Sequence, residues 1–246
     1  MPPDNFSDGG YRAFLSGLLP SRRTRSKMLT AIGGEFVAFG IVERELLGYY
    51  GLRPEHSLVD VGCGAGRLSA ALRDTHRGPY LGTDVVPALL QEAVAAAQRP
   101  DWRFEQTAGA TIPVAPSSAD FVCFFSVFTH LLHEQAYLYL EAARDALVPG
   151  GRIVLSFLEY RVPTHWHVFA ETVKAARVDQ RPILNVFISR EALTAWAAHL
   201  GLRIVDVRDG NERFVPLPHP VTLDSGEVME GFGCLGQSIC VLEKPA

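Results

Sequence analysis

The sequence predicts an α/β fold in which a doubly wound, mostly parallel sheet of seven strands carries helices on both faces. The first observation is that short apolar runs alternate with stretches of helical periodicity through the first two thirds of the chain. The second is the segment 120–125, which is so uniformly apolar that it is typical of a central strand covered on both faces. Both observations favour βαβ units over a helical bundle or an all-β sandwich.

Periodicity and end signals place the individual elements. Strands are predicted at residues 57–61, 80–83, 102–106, 120–125, 152–157, 203–207 and 237–243. Helices are predicted at residues 35–50, 67–73, 87–98, 134–147 and 189–200. Pro87 suits a first helical turn, Ser189 is a good N-cap and Gly201 a good terminator, so these helix ends are the best defined.

The 246 residues suit one domain with embellishments, because two enzymatic domains and a linker would need a longer chain. Residues 1–34 are predicted to form an N-terminal arm, a candidate lid bearing the isolated aromatics Phe6, Tyr11 and Phe14. The domain proper is expected over residues 35–246. Two inserts interrupt its regular pattern, at about 159–188 and 209–235.

The net charge is −4 and the sequence pI is near 6.1. This acidic balance disfavours a protein that binds by neutralising many phosphates, so no nucleic-acid partner is expected. The one dense cationic run, at residues 22–27, is more often a solvated segment than a phosphate site.

The four cysteines are scattered, and no Cys or His pair has metal-ligand spacing. No metal site is therefore predicted, and a reducing compartment suits the chain.

No apolar stretch approaches the roughly 20 residues that a membrane span needs, and the N-terminus does not resemble a signal peptide. We therefore expect a cytoplasmic protein with no membrane span. The sequence does not indicate an oligomeric state.

Three glycines, Gly62, Gly64 and Gly66, follow the first predicted strand and open a helix. Glycine lets the backbone turn tightly and approach a ligand, and the N–H groups at a helix N-terminus favour polar or anionic ligand atoms. Their spacing, GxGxG, differs from the dinucleotide pattern GxGxxG. Alone, such a turn can also be no more than a tight connection.

Two acids strengthen the functional interpretation of the turn. Asp60 lies inside the motif, and Asp84 ends the second strand at the carboxyl edge of the sheet. A carboxylate at that edge can accept hydrogen bonds from both hydroxyls of a ribose, which points to an adenosine-type ligand. The alternative is that Asp84 merely caps the helix that begins near Pro87.

With these residues the chain resembles the class I S-adenosylmethionine-dependent methyltransferase family, whose fold is Rossmann-like. The resemblance runs in order from about residue 35 to residue 158. It rests on four segments: Asp60-Val61-Gly62-Cys63-Gly64-Ala65-Gly66-Arg67, Tyr80-Leu81-Gly82-Thr83-Asp84, Phe125-Ser126-Val127-Phe128-Thr129-His130-Leu131 and Leu147-Val148-Pro149-Gly150-Gly151.

In that family the glycine turn holds the methionine end of the cofactor, the acid after the second strand binds ribose, and residues after the fourth strand lie near the transferred methyl. The resemblance implies S-adenosylmethionine as cofactor, with S-adenosylhomocysteine as product. The implied cofactor-binding residues are Asp60, Gly62, Cys63, Gly64, Gly66, Arg67, Asp84, Val85, Thr107, Ala108, Ser126 and Val127. One departure is that Ala108 stands where the family often has an acid for the adenine amino group.

Candidate catalytic groups near the expected acceptor pocket are His130, His133, His165, His167 and Tyr160. His130 belongs to the motif after the fourth strand, where it can act as a base or support the loop. The run His165-Trp166-His167 lies in the first insert and suits an apolar or aromatic acceptor. The alternative is a surface loop anchored by a buried Trp166, and a metal site is less favoured still.

The sequence thus predicts methyl transfer to a small-molecule acceptor, at oxygen or nitrogen. A base is needed only if the acceptor must lose a proton, because the donor is already activated. One alternative is a protein of this fold that binds the cofactor without methylating. A nucleic-acid methyltransferase is disfavoured by the charge and by Ser126-Val127-Phe128-Thr129, which stands where an Asn-Pro-Pro-Tyr-like signature is expected.

Overall fold

The computed structural model describes residues 35–178 and 184–246. The predicted arm and lid at residues 1–34 lie outside this part of the chain, as do residues 179–183 of the first insert. Among the described residues, no helix is long and apolar enough to cross a membrane.

The core begins with helix α1, Phe36–Tyr49, and then alternates strands and helices. The strands of the parallel part are β1 (Leu58–Val61), β2 (Tyr80–Asp84), β3 (Arg103–Gln106), β4 (Ala119–Phe124) and β5 (Leu147–Phe157). The helices between them are α2 (Arg67–Leu72), α3 (Pro87–Ala97) and α4 (His133–Ala146). A short 3₁₀ turn covers Phe128–His130.

The second part of the chain adds helix α5 (Pro163–Arg177), helix α6 (Arg190–Leu200) and strand β6 (Arg203–Arg208). Four two-residue strands follow: β7 (Val215–Pro216), β8 (Val221–Thr222), β9 (Val228–Met229) and β10 (Phe232–Gly233). The last strand is β11 (Ser238–Glu243).

Seven strands form one sheet in the order β3-β2-β1-β4-β5-β11-β6. The pairs among β1 to β5 are parallel, whereas β11 runs antiparallel to both β5 and β6. The predicted seven-stranded, mostly parallel, doubly wound sheet is therefore confirmed. The order reverses between β1 and β4, which is the position where open α/β sheets bind ligands.

Apolar residues of the central strands are buried on both faces, as the uniform segment predicted. All four residues of β1 are buried, and Val122, Cys123 and Phe124 of β4 have no exposed surface. One core lies between the sheet and helices α4 and α6, and the other between the sheet and helices α1 and α2. Burial at this level is the main source of stability for a sheet of this kind.

Strand β5 is longer than predicted. The strand was predicted at residues 152–157 and the preceding helix at 134–147, but α4 ends at Ala146 and β5 starts at Leu147. The main-chain N–H of Gly150 donates to Lys244 O over 2.7 Å, and Lys244 N–H donates to Gly151 O over 3.0 Å. These bonds to the end of the chain keep the segment in the sheet.

The first insert differs from the irregular segment that was expected, because α5 occupies Pro163–Arg177. Pro163 in its first turn fits this helix, since proline lacks only an N–H that has no helical partner there. Trp166, which the alternative interpretation buried as an anchor, is 54% exposed, and His165 is the buried residue of the helix. In the second insert, β7 pairs with β10 and β8 pairs with β9.

The end signals of α6 function as predicted. The side chain of Ser189 accepts a hydrogen bond from Ala192 N–H over 3.2 Å. Gly201 ends the helix with φ +67°, a left-handed conformation that glycine adopts without strain.

Candidate active site

A cavity of about 490 Å³ opens at the carboxyl ends of β1, β2 and β4. Its volume falls within the usual range for small-molecule sites, roughly 300–1,000 Å³. On one side it is lined by the glycine turn and Asp84, and on the other by side chains of the two inserts, among them Leu158, Val168 and Leu235. We call it the main cavity.

The glycine turn is held against the end of β2 by main-chain hydrogen bonds. The N–H groups of Gly62 and Cys63 both donate to Thr83 O, over 2.7 and 2.9 Å. Gly62, Gly64 and Gly66 all have positive φ, at +73°, +54° and +85°. A Cβ atom on Gly66 would lie 2.7 Å from Ala93 Cα, so close packing of α2 on α3 also requires glycine there.

Asp84 connects the turn to helix α3. Its Oδ2 accepts from Gly64 N–H over 3.0 Å, and its Oδ1 accepts from Val86 N–H over 2.8 Å. The second bond is a local contact to the N-cap residue itself, and the helix has no side-chain cap, so Asp84 does not cap it. The carboxylate also lines the main cavity, as the ribose interpretation requires.

A smaller cavity of about 80 Å³ adjoins Asp84 on the side of β3. Its lining is mostly apolar and includes Val61, Val85, Val127 and Leu131, with Thr107 as a polar neighbour. An apolar slot of this kind suits one face of a planar base. Ala108 is exposed and does not line it, so the structure does not bring this predicted residue to the site.

Asp60, near the end of β1, and Cys63, within the turn, both line the main cavity and are largely buried. Asp60 accepts from the Tyr80 hydroxyl over 2.7 Å and from the Cys123 thiol over 3.6 Å. Burial raises the pKa of Asp60 to about 6, although these two hydrogen bonds act to lower it. Burial, with the Asp60 charge second, raises the pKa of Cys63 well above its ordinary value, which keeps the thiol protonated and unreactive.

Ser126 follows β4 and lies where the cavities meet. It lines the main cavity, the small apolar slot and a third cavity of about 60 Å³. Its φ of +60° is unusual for a residue other than glycine, a type of strain that concentrates at functional sites. Its N–H donates to Ser156 Oγ over 2.7 Å, and Ser156 Oγ in turn donates to Gln237 Oε1 over 2.7 Å. Gln237 Nε2 closes the ring of hydrogen bonds by donating to Ser126 Oγ over 3.1 Å.

His130 is the one predicted catalytic residue that lines both the main cavity and the apolar slot. Its Nδ1 lies 2.8 Å from Leu184 O, so Nδ1 carries the proton and Nε2 has the lone pair. Burial lowers the pKa of this histidine, while the bond to Leu184 raises it less. The imidazole is therefore neutral at pH 7, the form that a base requires.

His165 lines the main cavity, but both its ring nitrogens contact the main chain. Nδ1 accepts from Glu159 N–H over 3.1 Å, and Nε2 donates to Gly236 O over 2.9 Å. The side chain is 1% exposed and joins α5 to the loop before β11. This geometry supports the loop that carries Gln237 and leaves no lone pair for proton transfer.

The other three candidates lie away from the described lining of the cavities. His167 is exposed on α5, and His133 is exposed at the start of α4, where Nε2 contacts Phe187 O at 3.2 Å. Tyr160 is 53% exposed and stacks on Phe187 with ring centroids 4.8 Å apart. The structure brings together His130 and His165 but not these three.

Sequence reasoning missed Glu43, a residue of α1 that lines the main cavity beside Arg67. Its side chain is 1% exposed, and its Oε1 lies 2.6 Å from Arg67 Nη2. A signal was present, because Glu43 falls at helical spacing with Phe39, Leu46 and Tyr50 on the apolar stripe of α1. An acid in such a stripe is rarely buried without a partner.

The donor and acceptor chemistry of the site fits S-adenosylmethionine. Asp84 offers carboxylate oxygens for hydroxyls, the slot beside Val85 is apolar enough for a base, and Arg67 offers a cation for a carboxylate. Residues 35–178 and 184–246 contain no group of three His, Cys, Asp or Glu side chains arranged to hold a metal ion.

Residues 58–151 match the model of a methyltransferase domain family. Solved structures share the fold over nearly the whole chain. They include a putative methyltransferase in complex with the Trm112 methyltransferase activator from Haloferax volcanii, which is 18% identical with a TM-score of 0.65 and 99% of each chain covered.

A possible histamine N-methyltransferase from Thermotoga maritima is 15% identical with a TM-score of 0.61, covering 97% of this chain and 99% of that one. Magnesium protoporphyrin IX methyltransferase from Synechocystis, with bound S-adenosylhomocysteine, is 16% identical with a TM-score of 0.57, covering 96% of this chain and 93% of that one.

The chain shares the Rossmann-like fold of these methyltransferases, and residues 58–151 form a methyltransferase domain. Together these findings identify an S-adenosylmethionine-dependent methyltransferase, an enzyme with S-adenosylmethionine as its cofactor. The family resemblance seen in the sequence is confirmed.

Proposed function

We propose that this enzyme transfers the methyl group to a small molecule held in the main cavity, at an oxygen or nitrogen atom. The observation that carries the proposal is the division of the 490 Å³ cavity into two unlike halves. The half formed by the glycine turn and Asp84 suits the cofactor. The other half is lined by side chains from both inserts and is assigned to the acceptor.

The predicted cofactor contacts keep their roles within this proposal. The turn from Gly62 to Gly66 receives the methionine end, Asp84 binds the ribose hydroxyls, and the apolar slot takes the adenine between Val85 and Val127. Thr107, at the edge of the slot, supplies polar contacts there. Because Ala108 does not line the slot, main-chain groups and apolar contacts hold the adenine in this proposal.

The acceptor half combines apolar and polar groups. Leu158, Val168 and Leu235 provide apolar contact, while Thr129 and Asn185 can orient polar atoms of the acceptor. Such a mixture favours an apolar or aromatic small molecule with a few polar substituents. Two structural relatives have small acceptors in their names, but at 15% and 16% identity that likeness extends only to the fold.

Bound S-adenosylmethionine supplies a methyl group on a sulfonium: the acceptor lone pair forms the new bond to carbon, and the electrons of the broken C–S bond pass to sulfur. The protein's task is alignment, which can supply much of the acceleration. Ser126, at the junction of the cavities, borders the reacting atoms. If the acceptor must lose a proton, neutral His130 accepts it at Nε2.

The test is formation of S-adenosylhomocysteine by the full chain with a panel of phenols, carboxylates and amines, with transfer RNA as a macromolecular comparison. The Asp84→Ala variant controls for background. Turnover on a small molecule, lost in the variant, supports the proposal. Turnover on RNA alone, or on no substrate although the cofactor binds, contradicts it.

A further inference from the structure

Ser126 belongs to a ring of hydrogen bonds in which each donor and acceptor is fixed. The main-chain N–H of Ser126 can only donate, so Ser156 Oγ accepts it over 2.7 Å. The Ser156 hydroxyl donates to Gln237 Oε1 over 2.7 Å, which turns the amide nitrogen of Gln237 toward Ser126. Because Gln237 Nε2 can only donate, Ser126 Oγ accepts in the third bond, over 3.1 Å. The Ser126 oxygen therefore accepts within the ring, and its own proton is directed out of it.

The hydroxyl proton of Ser126 faces the cavities. Within residues 35–178 and 184–246, no protein acceptor takes this proton, and Ser126 lines all three cavities. Thr129 holds the left-handed conformation of Ser126, because Thr129 Oγ1 donates to Ser126 O over 3.1 Å. The side chain thus offers one hydrogen-bond donor to a ligand at the junction of the cavities.

Gln237 is anchored by its two neighbours in the chain. The carbonyl of Gly236 accepts from His165 Nε2 over 2.9 Å. Ser238 is fully buried, and its hydroxyl donates to Glu159 Oε1 over 2.5 Å. These contacts keep the Gln237 side chain in the ring, where it acts as a positioning residue.

The half of the main cavity assigned to the acceptor lacks acids, lysines and arginines. Of the described lining residues from Phe125 onward, none is Asp, Glu, Lys or Arg. The acids and the arginine of the lining all come from segments before it: Glu43, Asp60, Arg67 and Asp84. A charged acceptor would lack a counter-ion in this half, which is costly in a partly buried site. An uncharged acceptor bound by hydrogen bonds fits better.

We infer that the methyl acceptor is a hydroxyl oxygen, and that Ser126 selects it by donating a hydrogen bond to that oxygen. The inference rests on the proposed function and names its substrate class. A hydroxyl oxygen has two lone pairs. One forms the bond to the methyl carbon while the C–S electron pair passes to sulfur, and the other accepts from Ser126. The hydroxyl proton passes to His130 Nε2, as proposed above.

An amine is disfavoured at the same position. A neutral amine nitrogen has one lone pair, and methyl transfer uses it, so none remains to accept from Ser126. The Ser126 donor is then either unpaired or competes with the methyl carbon for the same electrons, and an unpaired polar group at a site gives strong discrimination. The ring matters because the Gln237 amide prevents Ser126 from turning its lone pair toward an N–H group.

Gln237→Glu reverses the ring without changing its size. A carboxylate accepts at both oxygens, so at pH 8, above the ordinary range for glutamate, it takes the hydroxyl protons of both Ser156 and Ser126. Ser126 then presents a lone pair to the cavity. A primary amine has one N–H for Ser126 and another for His130. A hydroxyl whose single proton goes to His130 meets Ser126 lone pair to lone pair.

Two further variants complete the test. Gln91→Glu adds the same charge on the exposed surface of α3, outside the cavities, and is the matched control. Ser126→Gly removes the hydroxyl, and glycine adopts the left-handed conformation of this position without strain.

The probes are pairs of acceptors that share one ring and differ in the acceptor atom: 1-naphthol with 1-naphthylamine, 4-methylphenol with 4-methylaniline, and catechol with 1,2-diaminobenzene. The kcat/KM of each is measured with S-adenosylmethionine and the full chain. Calorimetry measures binding of each probe to the protein saturated with S-adenosylhomocysteine. The hydroxyl-to-amine ratio within a pair cancels differences between variants in cofactor affinity and in the amount of folded protein.

Wild-type protein is expected to methylate hydroxyl members of the pairs. In Gln237→Glu the hydroxyl-to-amine ratio of kcat/KM should fall roughly 10- to 100-fold, and the ratio of affinities should fall with it. Ser126→Gly should lower the same ratios about 10-fold, since it removes the donor without supplying an acceptor. Gln91→Glu should leave them unchanged.

Unchanged ratios in Gln237→Glu, or wild-type turnover on the amines alone, would overturn the inference and leave the proposed function standing. If no probe is methylated although the cofactor binds, the proposed function and the inference fail together.

Discussion

The main-chain N–H of Gly64 donates a hydrogen bond to Oδ2 of Asp84 over 3.0 Å. This contact joins the turn after β1 to the acid at the end of β2, two features that are 20 residues apart in the sequence. Each had an alternative structural explanation when taken alone. Their direct contact at the rim of the main cavity places both at one site.

Asp84→Ala should weaken S-adenosylhomocysteine binding about 10- to 100-fold, through loss of charge-assisted hydrogen bonds to the ribose. The same substitution also removes the bonds to Gly64 and Val86, so it disturbs the turn. Asp84→Asn keeps an acceptor oxygen and is expected to bind more tightly than Asp84→Ala. Calorimetry on the wild-type protein and both variants checks this order of affinities. Wild-type affinity in Asp84→Ala would remove Asp84 from the site.

His130→Ala should lower kcat by roughly 10²- to 10⁴-fold on an acceptor that must lose a proton, a much larger effect than any weakening of cofactor binding in the slot that His130 lines. Because burial lowers the pKa of His130, the fall of the wild-type rate at acid pH should lie at lower pH than an ordinary histidine would give. This fall in rate at acid pH should be absent from the pH profile of the variant. His133→Ala is the matched control, since His133 is exposed and outside the cavities. An unchanged pH profile in His130→Ala would argue against a base at this position.

His165→Ala should destabilise the protein, whereas His167→Ala should not. The first substitution breaks buried bonds to Glu159 and Gly236, a loss of about 1–3 kcal/mol that corresponds to several degrees in Tm. The second affects an exposed side chain and should change stability by less than about 0.5 kcal/mol. Thermal unfolding measures both. Equal Tm values for the two variants would show that His165 does not hold the loop.

Glu43→Gln should stabilise the protein without ligand at alkaline pH. The folded-state pKa of Glu43 is raised from 4.5 to about 7, so folding favours the protonated acid. The cost of ionising Glu43 in the folded protein is nearly absent below about pH 4.5, grows as pH rises from 4.5 to about 7, and is fully present above 7. Arg67, Asp60 and Cys123 are the charged and titratable groups around Glu43.

The gain in Tm of Glu43→Gln over wild type should therefore be largest near pH 8 and nearly absent near pH 4. About 1 kcal/mol corresponds to roughly 2–4 °C for a chain of this size. Glu45→Gln, two residues along the same helix, should show no such dependence. A gain that is equal at both pH values would contradict the raised pKa.

Much of the sheet could be predicted because its signals are local. Runs of apolar residues at β1, β2 and β4, and glycines at the turn, are dictated by burial and by backbone conformation over a few residues. Helix ends at Ser189 and Gly201 were readable for the same reason. The order β3-β2-β1-β4-β5 was not predicted, because the alternation of strands and helices does not determine which strands are neighbours.

The rest of the site depends on contacts between distant segments. Gln237 meets Ser126 across 111 positions of sequence, and His165 meets Gly236 across 71. No local pattern marks these partners. Helix α5 was missed because its sequence mixes His, Trp and Pro with only one fully buried residue, so the apolar stripe that marks a helix is weak.

Calorimetric titration of the full chain with S-adenosylmethionine and S-adenosylhomocysteine tests the proposed site most directly. We predict saturable binding of one equivalent of each ligand, in roughly the micromolar range, that Asp84→Ala weakens. Absence of binding to either ligand by the correctly folded protein would contradict the assignment of the glycine turn and Asp84 to the cofactor.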